Sequence, residues 1–366
     1  MNFIIDREHL LLPLQHIVNV IEKRQTMPIL ANILMVIKDS YLVLTGTDLE
    51  IQIIVRIKLE TITDGAITVP ARKLLDICRL LPADAKIKFS LLDDKLKINS
   101  ARSRFSLSTL PAEDYPEFVE DDFDYQFKIN ASRFKKSLEK TVFCMANQDV
   151  RYYLNGLMMN LSNDQLKLVA SDGHRLAVYE DTIEHETGYE NKIIIPRKGI
   201  LELSRLLDDP DTDLTIQFSE NNIRICIKNM IFSAKLIDAK YPDFSKVFHQ
   251  SFFPQLEIQK QILRDALTRV SILANEKIKG ISFDINSDSL RISTHNPDHE
   301  EAEEELLIDY QGKEISIAFN AQYFVDAVSN LDSEVANITI AENSSCCFIE
   351  DPNDPRFKFI VMPMLL

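Results

Sequence analysis

Residues 30 to 48, 154 to 172 and 278 to 296 read LANILMVIKDSYLVLTGTD, LNGLMMNLSNDQLKLVASD and IKGISFDINSDSLRISTHN, and they align without a gap at a spacing of 124. A segment recurring three times at a fixed period constrains the fold more than any composition, because the chain must then be built from one repeated unit. In each copy an apolar strand runs to a polar turn (Lys38 to Ser40, Ser162 to Asp164, Asn286 to Asp288). A second strand follows, with its apolar positions alternating: Leu42 and Leu44, Leu166 and Leu168, Leu290 and Ile292. The pattern predicts a β-hairpin in every repeat.

Upstream of the hairpins, FIIDREHLLLPL, FKINASRFKKSL and LEIQKQILRDAL, starting at Phe3, Phe127 and Leu256, each give a short strand, a polar capping residue and a helical pattern. Leu10 and Leu14, Phe134 and Leu138, and Leu263 and Leu267 stand four apart on one helix face. Pro13 would kink the first helix or shift its start. Downstream, ITVPARKLLDICRLL, IIIPRKGILELSRLL and ISIAFNAQYFVDAVSNL repeat the strand-then-helix order, and proline opens the first two helices, where its missing N–H costs nothing. Further strands follow, as in AKIKFSLL, DLTIQFS and NITIAE. Each third of the chain, 1–125, 126–253 and 254–366, is therefore two strand-helix-strand-strand-strand units. The expected class is α+β, with largely antiparallel sheets and helices on one face.

At 366 residues the chain suits two or three domains, and its 45% hydrophobic content with only 8 glycines describes an ordered globular protein. The opening MNFIIDREHL carries too short an apolar run for a signal peptide or membrane span, so a cytoplasmic location is expected. Cys78, Cys144, Cys226, Cys346 and Cys347 show no CxxC pair and no metal-finger spacing, and are read as reduced, mostly buried residues. No metal and no cofactor is expected.

The net charge of -15 argues against a polyanion as partner only if the charge is evenly spread. Helices expected over 7–24, 71–81, 131–140, 196–207, 259–279 and 320–330 hold 18 Lys and Arg against 8 Asp and Glu, so they carry +10 and the remainder -25. One such helix would be an ordinary solvated face. A sign split repeated over five helices describes an array that attracts a polyanion to its helical side and repels it elsewhere.

The ends of the array are complementary too. SARSRFSLS in the first repeat alternates Arg102 and Arg104 with Phe105 and Leu107, while PDHEEAEEEL in the third carries Glu300, Glu301, Glu303, Glu304 and Glu305. A basic strand at one end and an acidic strand at the other suit head-to-tail pairing of two chains, which gives a ring if the rotation closes.

ANQDVRYYLNG (146 to 156), ASDGHRLAVYE (170 to 180), IIIPRKGILEL (193 to 203), YPDF (241 to 244), VSILANEK (270 to 277) and VMPMLL (361 to 366), in this order on a threefold repeat, carry a resemblance over the whole length. The chain resembles the bacterial DNA polymerase III β subunits, the sliding-clamp family. The resemblance implies three clamp domains per chain, and two chains closed into a homodimeric ring with helices inside and sheets outside. Duplex DNA would thread the ring, and polymerase, clamp-loader and repair proteins would dock through short Leu- or Phe-anchored peptides. It further implies DNA contacts at Arg24, Arg72, Gln148, Tyr152, Tyr153 and Lys198. The dimer contact falls on Phe105, Leu107, Ile272 and Leu273, flanked by the arginine and glutamate strands. The peptide pocket falls on Leu154, Ser171, Gly173, His174, Arg175, Leu176, Pro242, Val247, Asn320, Tyr323, Met362, Pro363 and Met364, where methionine's flexible thioether lets one groove accept many sequences. Asn147, Ser171, Lys246 and Leu365 depart from the family's usual residues.

The stretch SDGHR (171 to 175) has the look of a catalytic or metal site, but no ligand spacing accompanies it. Its counterparts are TDLE (47 to 50) and HNPD (295 to 298), so a strand-end turn capped by Asp48, Asp172 and Asn296 is expected. Three function classes stand side by side: a non-enzymatic processivity clamp, a metal-dependent nuclease using Asp172, His174 and the acidic strand, and a repeat scaffold binding proteins alone. The first has no GxxxxGK[ST] loop of its own, so its loading would need a separate ATP-driven machine.

Overall fold

The computed structural model describes residues 1–21, 27–60, 62–119, 122–183 and 190–365. Among them are six α-helices: α1 (Arg7–Val20), α2 (Ala71–Leu80), α3 (Ala131–Val142), α4 (Arg197–Leu206), α5 (Lys260–Val270) and α6 (Ala321–Ser329). Each follows a strand and is followed by three more, with one additional two-residue strand, Ile62–Thr63, in the first repeat, so the expected unit recurs six times. Every strand pairing is antiparallel.

Two helices are shorter than their sequence patterns suggest. α1 ends at Val20, with residues 22–24 of the expected helix outside the described residues, and α5 ends at Val270, where the chain tightens into a 3-10 turn over Ser271–Leu273 instead of continuing to 279. Apolar spacing sets which face of a helix is buried but not where the helix stops. Pro13 lies inside α1 and does not move its start. With these bounds the helices hold 14 Lys and Arg against 6 Asp and Glu, a net of +8 rather than +10.

Contacts divide the chain into two compact units. One holds Met1–Lys135 and Lys198–Asp238; the other holds Lys136–Ile183, the strand Glu190–Pro196 with Arg197, and Ala239–Leu366. The first unit contains a five-stranded sheet from the first repeat. It also contains an eight-stranded sheet in which Ile51–Lys58 of the first repeat pairs with Met230–Lys235 of the second. The other unit contains a four-stranded sheet and an eight-stranded sheet in which Arg175–Thr182 of the second repeat pairs with Phe357–Val361 of the third. The middle repeat thus gives one half to each unit.

Within the first unit Leu10, Leu14 and Ile17 of α1 are fully buried, each contributing about 1.5–3 kcal/mol by leaving water. The approach is close: a Cβ on Gly46 would come within 2.3 Å of the Ile17 side chain. In the other unit Phe283, Phe319 and Phe324 pack edge-on or tilted with ring centres 4.7–5.5 Å apart under α6. Four of the five cysteines are buried, the fifth is half-buried, and all are free thiols.

Both strand junctions between repeats have the same register. Phe232 lies opposite Ile53 in one, and Phe359 lies opposite Ala177 in the other. Phe232 and Phe359 occupy equivalent places, each being paired on its other side with the middle of the preceding strand (Ile225, Ile349). Ile53 and Ala177 are equivalent through their own neighbours, Gly46 and Ala170. The third copy differs by one residue: His295 pairs with Glu301, where Ser171 pairs with Leu176 and Thr47 with Gln52. The turn after Asn296 is one residue longer, which the gapless 124-residue alignment ends too early to reveal.

Candidate functional site

The turn at Asp172 is built by its own side chains. Asp172 Oδ1 accepts from the backbone N–H of His174 (2.9 Å) and Arg175 (3.0 Å), and Ser171 Oγ donates to the Arg175 carbonyl while accepting from Gly173 N–H. The first repeat does the same: Asp48 Oδ1 accepts from Glu50 and Ile51, and Thr47 Oγ1 donates to the Ile51 carbonyl and accepts from Leu49 N–H. In the third, Asn296 Oδ1 accepts from Asp298 and Glu300. The aspartate of SDGHR is therefore a cap. No group of three or more His, Cys, Asp or Glu side chains among the described residues could hold a metal ion.

The expected pocket residues all belong to the same unit as this turn. Arg175 ties the turn to α6: its Nε donates to Asp172 Oδ2 (3.0 Å), its Nη1 to Asp326 Oδ2 on α6 (2.5 Å), and its guanidinium carbon lies 4.5 Å from the centre of the Tyr323 ring. The His174 ring stacks with Tyr323, their centres 6.5 Å apart. Burial raises the Tyr323 hydroxyl's pKa, and does the same more strongly for the Cys144 thiol nearby. Met362 N–H donates to the His174 carbonyl (2.8 Å) and Met364 N–H to Ala318 (2.9 Å), which fixes the tail beside the turn. Leu154 and Leu176 are buried, Val247, Tyr323, Pro363 and Met364 half-buried, and Gly173, His174, Pro242 and Met362 exposed. Val247 packs with Tyr241, Phe244, Phe248 and Phe252 against a buried cluster that includes Leu176, Val178 and Phe348. Asn320 is half-buried and occupied: its Oδ1 caps α6 through Gln322 and Tyr323, and its Nδ2 donates to the Ile278 carbonyl.

Sequence reasoning missed Arg151. Its Nη2 donates to the Asp172 carbonyl (3.0 Å), and hydrogen bonds from its guanidinium hold the Asp149 carboxyl down at about 2. A Cβ on Gly173, where φ is +87, would sit 2.6 Å from Arg151 Nη1. Leu49 takes φ +78 at the equivalent place in the first repeat, so the turn admits a side chain at a cost in backbone strain; at 173 a Cβ would in addition have to push the end of the Arg151 side chain aside. Gly173→Ala is expected to cost about 1–2 kcal/mol in denaturant unfolding, from left-handed strain and displacement of Arg151. Gly173→Asn should lose less of the strain component.

The expected nucleic-acid contacts are spread over both units. Arg24 lies outside the described residues. Arg72, on α2, donates to the Ile21 carbonyl (2.9 Å). Gln148 is exposed with φ +57, and Tyr152 and Tyr153 follow on the same loop with ring centres 6.1 Å apart. Lys198, in the first turn of α4, is ion-paired with Asp48. It is not alone: Lys135 pairs with Asp208, Lys136 with Asp332 and Asp354, Lys140 with Asp332, and Arg269 with Glu304. Much of the helical positive charge is thus already matched by carboxylates from the loops and strands, which a count along the sequence could not reveal.

The expected pairing surfaces are both open edges. Ser103–Ser108, carrying Arg104, Phe105 and Leu107 and preceded by Arg102, is the last strand of the five-stranded sheet. Glu301–Leu307 is the last strand of the four-stranded sheet and follows Glu300. Ile272 is 75% exposed in the 3-10 turn, Leu273 half-buried beside it, and Leu307 90% exposed. An ordinary core role for Ile272 is therefore ruled out within the single chain. Glu304 is half-buried and already taken by Arg269 of its own chain, which lowers its pKa.

Three family models match this chain: the DNA polymerase III beta subunit N-terminal domain over residues 1–119, its central domain over 128–243 and its C-terminal domain over 245–365. The chain is 41% identical to the beta sliding clamps of Pseudomonas putida KT2440 and Escherichia coli K12, in both cases over 367 aligned residues covering 100% of each chain. Among solved structures it is similar to a sliding clamp from Pseudomonas aeruginosa bound to griselimycin (TM-score 0.97, 40% identity) and to the Caulobacter crescentus pol III beta (TM-score 0.95, 32% identity), with 100% of each chain covered.

Proposed function

This chain belongs to the DNA polymerase III beta subunit family, and from that premise we propose how its own residues close a sliding clamp around duplex DNA. The protein is a processivity subunit rather than an enzyme. Its repeats, 1–125, 126–253 and 254–366, act as three of the six modules of a ring made by two copies, working in the cytoplasm.

The observation that carries the reading is the common register of the two repeat junctions. Carried round to the third junction, that register sets Phe105 of one copy opposite Ala302 of the other, as Phe232 faces Ile53 and Phe359 faces Ala177. Arg104 then falls opposite Glu303, Arg102 opposite Glu305 and Leu107 opposite Glu300. The faces agree: both arginines, Glu303 and Glu305 are exposed, while Phe105 and Ala302 are half-buried. Glu304 falls opposite Ser103, so its commitment to Arg269 removes no partner from the arginines, while Glu303, opposite Arg104, also lies 3.8 Å from Arg291 of its own chain. Two open edges, a liability in a lone chain, cover one another. Ile272, Leu273 and Leu307 supply apolar area beside them.

DNA passes over the helical faces, with Arg72, Lys198 and the Gln148–Tyr153 loop as contacts to phosphate and sugar, without base readout. The pocket of Arg175, Tyr323 and the methionine tail holds polymerase, loader and repair proteins by short peptides anchored on Leu or Phe. The mechanism is topological: a polymerase tied to a ring that cannot leave the duplex rebinds at high effective concentration. Loaded by an ATP-driven clamp loader onto a nicked circle, the protein is expected to co-elute with DNA in gel filtration. It should be lost when the same circle is cut once. A protein-only scaffold would co-elute with neither, and equal retention on circle and line would refute enclosure.

A further inference from the structure

We propose that Asp48 is a positioning residue that restrains Lys198, and that this restraint loosens the ring's grip on duplex DNA. The inference rests on the reading above, in which the first turn of α4 faces the duplex.

The turn at Asp48 needs one acceptor oxygen, and Oδ1 provides it for the N–H groups of Glu50 (2.9 Å) and Ile51 (2.7 Å). At position 296, in a turn one residue longer, an asparagine oxygen likewise accepts from two backbone N–H groups, so an amide can supply the acceptor such a turn needs. The second oxygen has a separate task. At Asp172, Oδ2 holds Arg175 Nε; at Asp48, Oδ2 holds Lys198 Nζ; at Asn296 the amide nitrogen instead donates to Glu300. The Asp48 side chain is only 4% exposed and that of Lys198 31%, so this pair is sheltered from the salt that screens surface pairs.

Arg72, Lys198 and Gln322 are each the second residue of their helix, α2, α4 and α6. These equivalent places hold a cation bonded to a neutral carbonyl (Ile21), a cation neutralised by a carboxylate, and no cation. A phosphate meeting Arg72 gains its full charge. A phosphate meeting Lys198 must first displace Asp48. Each phosphate neutralised steepens the dependence of log K on log salt by about 0.9, and a ring that must slide is served by few such contacts. Asp48 therefore removes one contact per subunit.

The test compares wild type with Asp48→Asn, Asp48→Asn/Lys198→Ala and Asp39→Asn, measuring binding to a short labelled duplex by anisotropy across a NaCl titration. Asp39 is an exposed residue of the Lys38–Ser40 turn at φ +51, where asparagine is well tolerated. It gives the same change of net charge without touching Lys198. Asp48→Asn should bind several-fold tighter, with a salt slope steeper by about 0.9 per subunit, and the double variant and Asp39→Asn should not. An unchanged slope in folded Asp48→Asn, or an equal gain in either control, overturns the inference and leaves the pair as a structural strut. Wild-type loss from the nicked circle without linearisation would instead point to failure of the clamp reading itself.

Discussion

Arg102→Glu with Arg104→Glu is expected to convert the protein to monomers. The proposed register would place both arginines opposite Glu303 and Glu305 of a second copy, and a head-to-tail ring contains that junction twice. Four attractive cross-strand pairs would become four repulsive ones. At about 1 kcal/mol per pair for the full change of sign, the ring loses about 4 kcal/mol, a weakening on the order of a thousandfold. Sedimentation should then report a mass of one 42.0 kDa chain at concentrations where wild type reports two. Adding Glu303→Arg and Glu305→Arg should restore the dimer, because the pairs are rebuilt with signs exchanged. An intact dimer in the doubly reversed protein would sink the register, and so would failure of the fourfold variant to reassociate while still folded. Ile272→Ala with Leu273→Ala attacks the same junction through its apolar part and should also favour monomers.

Deleting residues 362–366 is expected to abolish binding of Leu- or Phe-anchored peptides while leaving the dimer intact. The tail is attached by two backbone bonds, Met362 to His174 and Met364 to Ala318, and it brings two methionines and a proline to the pocket wall. Losing the apolar surface against which one or two anchors pack costs about 3 kcal/mol, or roughly a hundredfold in affinity. Titration of a fluorescent peptide checks the affinity, and sedimentation checks the assembly. Unchanged peptide affinity would refute the pocket as drawn.

The repeat, the six helices and the antiparallel sheets could be read from the sequence because each is local: a hairpin needs its own turn and alternation, and a helix needs its own spacing. The capping role of Asp48 and Asp172 was legible for the same reason, once the three turns were aligned. What escaped was long-range. Lys198 and Asp48 are 150 residues apart, and Lys136 and Asp354 are 218 apart, so nothing in either neighbourhood announces the pair. Arg151 escaped because its role depends on the missing Cβ of Gly173, 22 positions on. The extra residue after Asn296 lies just beyond the aligned segment, yet in the proposed register it decides which glutamates would face the arginines of a second copy. Asn320 was assigned to the pocket by resemblance alone, and its cap of α6 and its bond to the Ile278 carbonyl became visible only in the folded chain.

The division of the middle repeat has its own consequence. The period written in the sequence and the seams of cohesion are out of phase by half a unit, since each eight-stranded sheet is stitched across a repeat boundary. A gene fragment trimmed to a single tandem copy would bare a sheet margin such as Met230–Lys235, whose Phe232 and Ala234 are fully buried. Lineages that changed the number of copies would have had to shelter that margin at the same moment, which ties the copy number to the closed assembly rather than to any one module.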